Sequence, residues 1–402
     1  MDKQNLPLTI LAIDTSCDET SVAITRGNVV LANALYSQLE LHKDYGGVVP
    51  SIAKLAHIEK FDSVLQEALD AAEITLEDVQ AVAVTQGPGL AIALEVGINK
   101  AKELAEQLKV PLIGVNHMEG HLLSALAMDK SEAYAELDVK FPALGLLVSG
   151  GHTEFVEVKE IGSYKKLGGT LDDACGEAYD KCARMLGLPY PGGPLISKLA
   201  EENRGKLEIK FEKDQRSLMA RVYHNGILKY ELPVPMAFSG DLNVSYSGLK
   251  TAVKQMINKL SSDSIELNIS ETGEESHLPE EIVGEIAAVF EAAAIKMLTL
   301  KLDNAFAAAA DSALEASEYR QFREVWLGGG VVASDYFRAE VAQVCEQYGV
   351  KLRMPESKKL MTDNAAMVGV AAGLKLIHGI ETGVFTDPAE FKLLDRDPIL
   401  SL

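Results

Sequence analysis

The sequence contains little cysteine, and its cysteines are widely spaced. The 402 residues include four cysteines, and no two of them form a CxxC pair. A zinc site built from cysteine is therefore not expected, and reduced thiols in the cytosol are the default for such a chain. The four are Cys17, Cys175, Cys182 and Cys345.

Long apolar runs are also missing. No segment reaches the roughly 18 consecutive apolar residues that a membrane-spanning helix needs. The first residues lack the basic region, apolar core and small-residue cleavage site of a signal peptide. We therefore expect a cytoplasmic protein that does not contact a membrane.

Positive charge is scarce relative to negative charge. The chain has 38 lysines and arginines against 59 acidic residues, a net charge of −21. Its mean field repels a polyanion, which argues against broad nonspecific binding of nucleic acid. A local basic patch, or a partner protein that holds the nucleic acid, stays open.

The sequence does contain a repeated pattern of strands and helices. Its length allows two domains or one large two-lobed fold. Each half begins with a strand hairpin whose first turn is polar or rich in glycine, which predicts two α/β lobes around a ligand cleft. The predicted strands cover 8–13, 21–25, 29–35, 81–85, 111–115, 143–148, 153–159 and 325–327. The predicted helices cover 52–72, 94–108, 171–186, 281–310 and 365–376, with a loop over 189–194 and surface excursions over 261–279 and 311–317.

A pair of histidines follows the strand predicted over 111–115. His117 and His121 lie four residues apart, so on a helix they share one face and can bind one metal ion. An isolated pair at this spacing is more often two surface or capping histidines. Asp363 stands at the start of a predicted helix, where it is either part of an N-cap or a third ligand. Two imidazoles and one carboxylate with open positions suit iron(II) or zinc.

Two kinds of turn are candidate ligand sites. The acidic loop 14–20 either holds a phosphate and positions a metal or substrate, or is a solvated turn with local capping. The glycine turns at 149–152 and 328–330 follow strands, and glycine there lets the backbone approach a nucleotide closely.

The helix predicted over 171–186 is dense with acidic residues. A solvated acidic face is the usual meaning of such a pattern. Gly176, however, costs about 1 kcal/mol relative to alanine within a helix, which indicates that something approaches closely there. A ribose diol bound by Asp180 fits this arrangement.

Taken together, these motifs resemble the tRNA N6-adenosine threonylcarbamoyltransferase family. This family comprises TsaD in bacteria, once described as O-sialoglycoprotein endopeptidase, and the related catalytic subunit of the KEOPS complex. The similarity runs in order from about residue 11 to residue 373. Its motifs lie at 15–20, 45–50, 87–90, 116–121, 148–153, 172–181, 190–194, 246–251, 329–331 and 362–367.

The resemblance implies a fold. It is the α/β, two-lobed actin-like ATPase domain of the sugar kinase/Hsp70/actin superfamily, with duplicated βββαβαβα units and a central cleft for metal and nucleotide. On this basis we predict one lobe from residues 1–130 with 375–402, and a second from 131–374.

The resemblance also implies an activity and its residues. The threonylcarbamoyl group of threonylcarbamoyl-AMP would pass to N6 of adenosine 37, in the anticodon loop of tRNAs that read ANN codons, with release of AMP. His117, His121 and Asp363 would hold one divalent metal ion per subunit, with iron(II) favoured over zinc or magnesium. The adenylate would contact Leu147, Val148, Ser149, Gly150, Gly151, Asp180, Gly193 and position 334.

Several positions depart from the family pattern. Ser334 replaces an asparagine, so a shorter side chain with fewer hydrogen bonds faces the adenylate. Asp14 stands where many members have glutamate. Ser51 and Leu55 replace an expected glutamate and arginine.

The transfer chemistry has a physical rationale. The mixed anhydride is already activated, so positioning and charge stabilisation matter more than a strong nucleophile. Asp18 or Glu19 would orient or deprotonate the adenine amine. Because the chain is acidic, we expect it to bind tRNA poorly alone. The resemblance implies a TsaB-like paralogue and a TsaE-like ATPase as partners that complete the binding surface.

Three other functions are alternatives. A metalloprotease needs glutamate directly after the first histidine, but Met118 is there and Glu119 comes one position late. A small-molecule kinase shares the implied fold, although a histidine pair is not what phosphoryl transfer demands. A non-catalytic scaffold has no need of an open metal site.

Overall fold

The computed structural model describes residues 7–130, 137–214, 216–265, 278–310 and 322–402. The strands in these ranges are β1 (Thr9–Asp14), β2 (Glu19–Arg26), β3 (Val29–Ser37), β4 (Ala81–Gly87), β5 (Leu112–Asn116), β6 (Met128–Asp129), β7 (Ala143–Val148), β8 (Thr153–Glu160), β9 (Ser163–Gly169), β10 (Glu208–Asp214), β11 (Ser217–His224), β12 (Ile227–Val234), β13 (Glu324–Gly328), β14 (Lys351–Arg353) and β15 (Val384–Phe385). The helices are α1 (Leu39–His42), α2 (Pro50–Ala72), α3 (Ala91–Leu108), α4 (His117–Leu123), α5 (Cys175–Met185), α6 (Gly192–Arg204), α7 (Ser247–Ile265), α8 (Glu280–Ala310), α9 (Asp335–Tyr348) and α10 (Ala365–Ile377).

The two larger sheets repeat one topology. The first contains the order β3-β2-β1-β4-β5, and the second has the order β9-β8-β7-β13-β14. In both, the first three strands are antiparallel neighbours and the next two join in parallel. This duplication confirms the predicted α/β class and the two-lobed actin-like ATPase fold.

Strand burial explains why apolar runs predicted the sheets well. Every residue of β1 and β7 is buried. A central strand covered on both faces is continuously apolar rather than alternating. Strands β6 and β15 extend the two edges of the first sheet, and β10, β11 and β12 form a separate antiparallel sheet. These additions were not predicted.

The helix predicted over 171–186 and the loop predicted over 189–194 differ from the structure. Helix α5 begins at Cys175 rather than at 171, because Asp172 instead accepts a hydrogen bond from the Tyr246 amide at 2.8 Å. Helix α6 begins inside the loop predicted over 189–194, since proline is tolerated in the first turn of a helix.

The predicted surface excursions fall mostly outside the described residues. The first five residues of the excursion predicted over 261–279 are helical and end α7 at Ile265. Residues 266–277 and 311–317 lie outside the described ranges.

Two helices bring the sheets together. Helix α10 contacts β1 and β2 of the first sheet, while α4 contacts β7 and β13 of the second, and the two helices contact each other. The fit of α10 is close, because a Cβ at Gly373 would lie 2.4 Å from the Gly27 carbonyl oxygen. The lobe boundaries, 1–130 with 375–402 and 131–374, remain a prediction. Across the described ranges, no helix has the length and apolarity needed to cross a membrane.

Candidate metal and nucleotide site

Helix α4 carries both histidines and begins at the first of them. Its N-cap is Asn116, whose side-chain oxygen accepts hydrogen bonds from the amides of Met118 at 2.8 Å and Glu119 at 3.2 Å. This cap starts the helix directly after β5 and places His117 in its first turn. His121 follows one turn later on the same face, as its spacing predicted.

Asp363 completes the cluster from the loop before α10. The N-cap of α10 is Asn364, whose side chain accepts from the Met367 amide, so Asp363 is not needed as a cap. Its Oδ1 lies 3.0 Å from His121 Nε2 and 3.5 Å from His117 Nε2. One ligand atom from each of these three residues lies within 4.8 Å of the others. The structure thus brings together the three predicted metal ligands.

The cluster is strongly coupled electrostatically. Burial alone would raise the pKa of Asp363, but the charge of His117 and hydrogen bonds from both imidazoles hold it well below its usual value. For His117, burial lowers the pKa, and Asp363 together with Asp14 outweighs it and raises the pKa to about 9.

Further carboxylates surround the cluster. Burial raises the pKa of Asp14, and burial together with the charges of Asp18 and Asp363 raises the pKa of Glu19 well above its usual value. Among the described residues, no lysine or arginine forms an ion pair with these four acids. The local excess of carboxyl groups over basic side chains favours a divalent cation.

The donor atoms fit such a cation. Both Nε2 atoms face the Asp363 carboxylate, while the Nδ1 atoms of His117 and His121 are buried and have no partner in the described part of the chain. Two imidazole nitrogens and one carboxylate oxygen form a common ligand set for a divalent metal with open positions. The residues present therefore fit a metal ion, whose identity the geometry leaves open.

The first loop is held by a buried histidine that sequence reasoning missed. His57 of α2 has its Nε2 3.1 Å from the Cys17 carbonyl oxygen and its Nδ1 2.8 Å from the Thr20 hydroxyl. Burial lowers the pKa of His57, so a neutral ring donates to the carbonyl and accepts from the hydroxyl. These bonds fix the backbone on both sides of Asp18, which is buried, and Glu19. The sequence offered no signal beyond a histidine within an amphipathic helix.

A cavity of about 530 Å³ lies beside the metal cluster, mainly between α5, α6, α8 and the start of α9. Thr362, next to Asp363, forms part of its wall. The predicted adenylate contacts that line it are Gly150, Asp180, Gly193 and Ser334.

The other predicted adenylate contacts do not line this cavity. Leu147 and Val148 are fully buried in β7, so their side chains belong to the core. The Ser149 hydroxyl accepts from the His152 amide at 3.1 Å, and the Ser149 amide donates to the His152 carbonyl at 2.8 Å. These bonds close the turn, where a Cβ at Gly151 would meet nothing within 4 Å.

Gly176 allows a close approach, and the approaching group is the protein itself. It is the second residue of α5, not a mid-helix residue as predicted. A Cβ there would lie 2.8 Å from both the Gly150 Cα and the Ser149 carbonyl oxygen. The absence of a side chain at Gly176 therefore makes room for the glycine turn of the protein rather than for a ligand.

We predict that Gly176→Ala lowers stability and weakens AMP binding. The added methyl group must displace the 149–151 turn, and overpacking of this kind costs about 1–3 kcal/mol. Thermal unfolding and calorimetric titration with AMP measure both effects. Gly205→Ala is the matched control, because a Cβ at Gly205 would meet nothing within 4 Å. Equal melting temperatures and AMP affinities for the two variants would contradict the prediction.

The second glycine turn also approaches the protein's own backbone. A Cβ at Gly328 would lie 2.2 Å from the His121 carbonyl oxygen, and one at Gly329 would lie 2.5 Å from the Val148 carbonyl oxygen. Gly330 lines the cavity. This turn therefore locks β13 against α4 and β7 and presents one glycine to the ligand space.

Asp180 joins two helices at the cavity. Its Oδ1 accepts hydrogen bonds from the Gly192 amide at 2.8 Å and the Gly193 amide at 3.0 Å, at the start of α6. Burial raises the pKa of Asp180, and the two amide bonds oppose that effect. Asp180, one residue of the predicted acidic face, thus forms part of the cavity wall rather than a solvated surface.

Ser334 belongs to a polar cluster that was not predicted. Its hydroxyl oxygen accepts from the Phe337 amide at 3.3 Å and caps α9, and it donates to Glu291 at 3.4 Å. Glu291 also accepts from Ser197 at 2.7 Å and pairs with Arg204. A carboxylate within the apolar run of α8 was the available sequence signal.

Glu119 faces away from the metal ligands. Its Oε1 accepts from the Tyr164 hydroxyl at 3.0 Å, and its Oε2 lies 3.3 Å from the Lys375 ammonium. It is therefore engaged between β9 and α10 and is not placed as the general base that a metalloprotease requires.

Comparison with known proteins gives one consistent result. The sequence model described as TsaD, tRNA N6-adenosine threonylcarbamoyltransferase, matches residues 29–370. A protein with that enzyme name from Nitrosospira multiformis is 40% identical over 371 residues, covering 92% of each chain. Another, from Bacillus subtilis, is 40% identical over 375 residues, covering 92% of this chain and 91% of the relative.

Solved structures resemble the chain more distantly. YeaZ from Pseudomonas aeruginosa is 19% identical with a TM-score of 0.27, covering 40% of this chain and 63% of that one. That score is too low to support an argument, so the sequence matches alone decide the family. The chain belongs to the TsaD family of tRNA N6-adenosine threonylcarbamoyltransferases.

Proposed function

We propose that this protein transfers the threonylcarbamoyl group from threonylcarbamoyl-AMP to N6 of adenosine 37 in tRNAs that read ANN codons. The observation that carries the proposal is the cluster of His117, His121 and Asp363 beside a nucleotide-sized cavity, in a chain of this family. The products are N6-threonylcarbamoyladenosine in the tRNA and AMP.

His117, His121 and Asp363 would hold the metal. Two imidazoles and a carboxylate with open positions favour iron(II), with zinc and magnesium as alternatives. When bound, the ion supplies Lewis-acid stabilisation of negative charge on a phosphate or carbonyl oxygen. The surplus of carboxylates near His117 is consistent with this role.

The cavity would bind the adenylate. Asp180 is placed to accept from a ribose hydroxyl, because Oδ1 already bonds two amides and Oδ2 forms no hydrogen bond within the described part of the chain. Gly150 and Gly193 leave room for close backbone contact along the same wall. Ser334, where the resemblance implies an asparagine in the family, also lines the cavity, with its hydroxyl bonded to Glu291 and to the Phe337 amide.

Asp18 and Glu19 would act on the attacking base. In the transfer, a bond forms between N6 and the carbamoyl carbon, and the bond from that carbon to the phosphate oxygen breaks. N6 loses one proton, which one of these carboxylates accepts, and AMP departs with the bonding electron pair. An ionised carboxylate near the amine both orients it and takes its proton.

We predict that the isolated chain binds tRNA weakly and that partner proteins raise its affinity for tRNA. The net charge of −21 opposes a polyanion, so a TsaB-like paralogue and a TsaE-like ATPase would complete the binding surface. Fluorescence anisotropy with labelled tRNA measures affinity with and without partners. Tight, salt-resistant binding by the chain alone would contradict the prediction.

Release of AMP tests the proposed reaction. Chain, metal, partners and threonylcarbamoyl-AMP are mixed, and AMP is followed after an ANN-decoding tRNA is added. We expect a burst of AMP that depends on this tRNA. Metabolite phosphorylation by ATP without tRNA-dependent release would favour the kinase, and neither activity would favour the scaffold.

A further inference from the structure

Asp14 is a buried acid with an unused oxygen. It ends β1 and is 0% exposed. Its Oδ1 accepts hydrogen bonds from the Thr85 hydroxyl at 2.7 Å and the Ser16 amide at 3.2 Å. Its Oδ2 is buried and has no hydrogen-bond partner among the described residues. Burying a carboxylate oxygen without a hydrogen-bond donor costs free energy of folding. The position of Asp14 is therefore suited to a donor that is in place only in another state of the site.

His117 has an unused nitrogen on the side that faces Asp14. Its Nε2 lies 3.5 Å from Asp363, within the metal cluster. Its Nδ1 is buried without a partner in the described ranges, 3.9 Å from Asp14 Oδ1. Once Nε2 binds a metal, the remaining ring proton resides on Nδ1 and needs an acceptor.

We infer that Asp14 is a positioning residue that orients His117 by accepting its Nδ1–H when the metal is bound. The gap of 3.9 Å between Nδ1 and Asp14 Oδ1 is too long for a direct hydrogen bond, and a small rotation of either side chain closes it. A carboxylate there fixes the tautomer and the ring orientation and makes Nε2 a stronger ligand. This inference rests on the metal site of the proposed function, and it concerns metal affinity rather than transfer.

Side-chain length at position 14 gives a specific expectation. Glutamate would extend the carboxylate by one methylene group towards the histidine. Asp14→Glu should therefore retain metal binding, whereas Asp14→Asn keeps the shape but removes the charge. Loss of a carboxylate that supports a metal-bound histidine costs about 10- to 100-fold in affinity.

The experiment measures cobalt(II) affinity by competition with a fluorescent chelator, for the wild type, Asp14→Asn and Asp14→Glu. We expect Asp14→Asn to bind about 10- to 100-fold more weakly and Asp14→Glu to bind nearly as well as the wild type. The absorption spectrum of bound cobalt should keep its band positions and intensity in Asp14→Asn. A changed spectrum would make Asp14 a direct ligand and overturn the positioning role.

A control separates this effect from a general loss of buried charge. Glu324→Gln alters a fully buried carboxylate of β13 that pairs with Arg353, and it should leave cobalt affinity unchanged. Thermal unfolding verifies that each variant is folded. If the wild type binds cobalt and Asp14→Asn binds it equally well, the inference is wrong while the proposed function stands. If the wild type binds no metal, the metal site itself is wrong, and both fail.

Discussion

Replacing His121 by alanine should remove the metal and reduce transfer by about a hundred- to a thousandfold. His121 is 0% exposed and its Nε2 lies 3.0 Å from Asp363, so its loss removes one of the three ligand atoms of the cluster. The magnitude is that of losing one preorganised group that stabilises charge in a transition state. Metal content of the purified protein and single-turnover transfer measure the two effects.

Two further variants distinguish loss of the metal ligand from destabilisation of the fold. Truncating a buried imidazole leaves a cavity that destabilises the fold. Asp363→Asn keeps the side-chain shape and should show the same loss of metal and transfer. His378→Ala alters an exposed histidine after α10 and should behave like the wild type. Full metal content and normal transfer in both site variants would refute the assigned ligands.

The second large effect is expected at the acidic loop. Replacing Asp18 by asparagine and Glu19 by glutamine together should slow single-turnover transfer about a hundredfold to ten-thousandfold, the usual range for general acid–base groups. Both amides preserve shape, so AMP affinity should change little. Rapid-quench measurement with prebound threonylcarbamoyl-AMP isolates the transfer step.

An exposed acid gives the control for that pair. Glu106→Gln removes an exposed negative charge near the end of α3, about 24 Å along the helix from Leu90, whose amide donates to the Ser16 carbonyl of the acidic loop. It should leave the transfer rate unchanged. If the double variant also transfers at the wild-type rate, neither carboxylate takes or orients the proton, and the general base lies elsewhere.

The sequence predicted the repeated hairpins because the central strands are buried on both faces. Such strands are continuous apolar runs with a turn between them, and β1 and β7 are of this kind. Helix α6 was missed because a segment rich in glycine and proline is typical of a loop, although proline suits the first turn of a helix. The start of α5 lies later than predicted because Asp172 accepts a hydrogen bond from the Tyr246 amide, a contact distant in sequence.

The site was predictable to the extent that its residues are close in sequence. His117 and His121 share a helix face, so their spacing sufficed to propose a metal. Asp363 lies 242 positions after His121, so the residues alone left it either a cap or a third ligand, and the family resemblance implied the ligand. The pairing of Glu291 with Arg204 arises from the packing of α8 on α6, which no local pattern encodes.

The nucleoside composition of the modified tRNA tests the central claim most directly. The chain is incubated with metal, threonylcarbamoyl-AMP, partners and an ANN-decoding tRNA, and the digested tRNA is analysed by mass spectrometry. We expect N6-threonylcarbamoyladenosine at position 37, and none when that position is guanosine or when the enzyme carries Asp363→Asn. No modified adenosine with any combination of partners would contradict it.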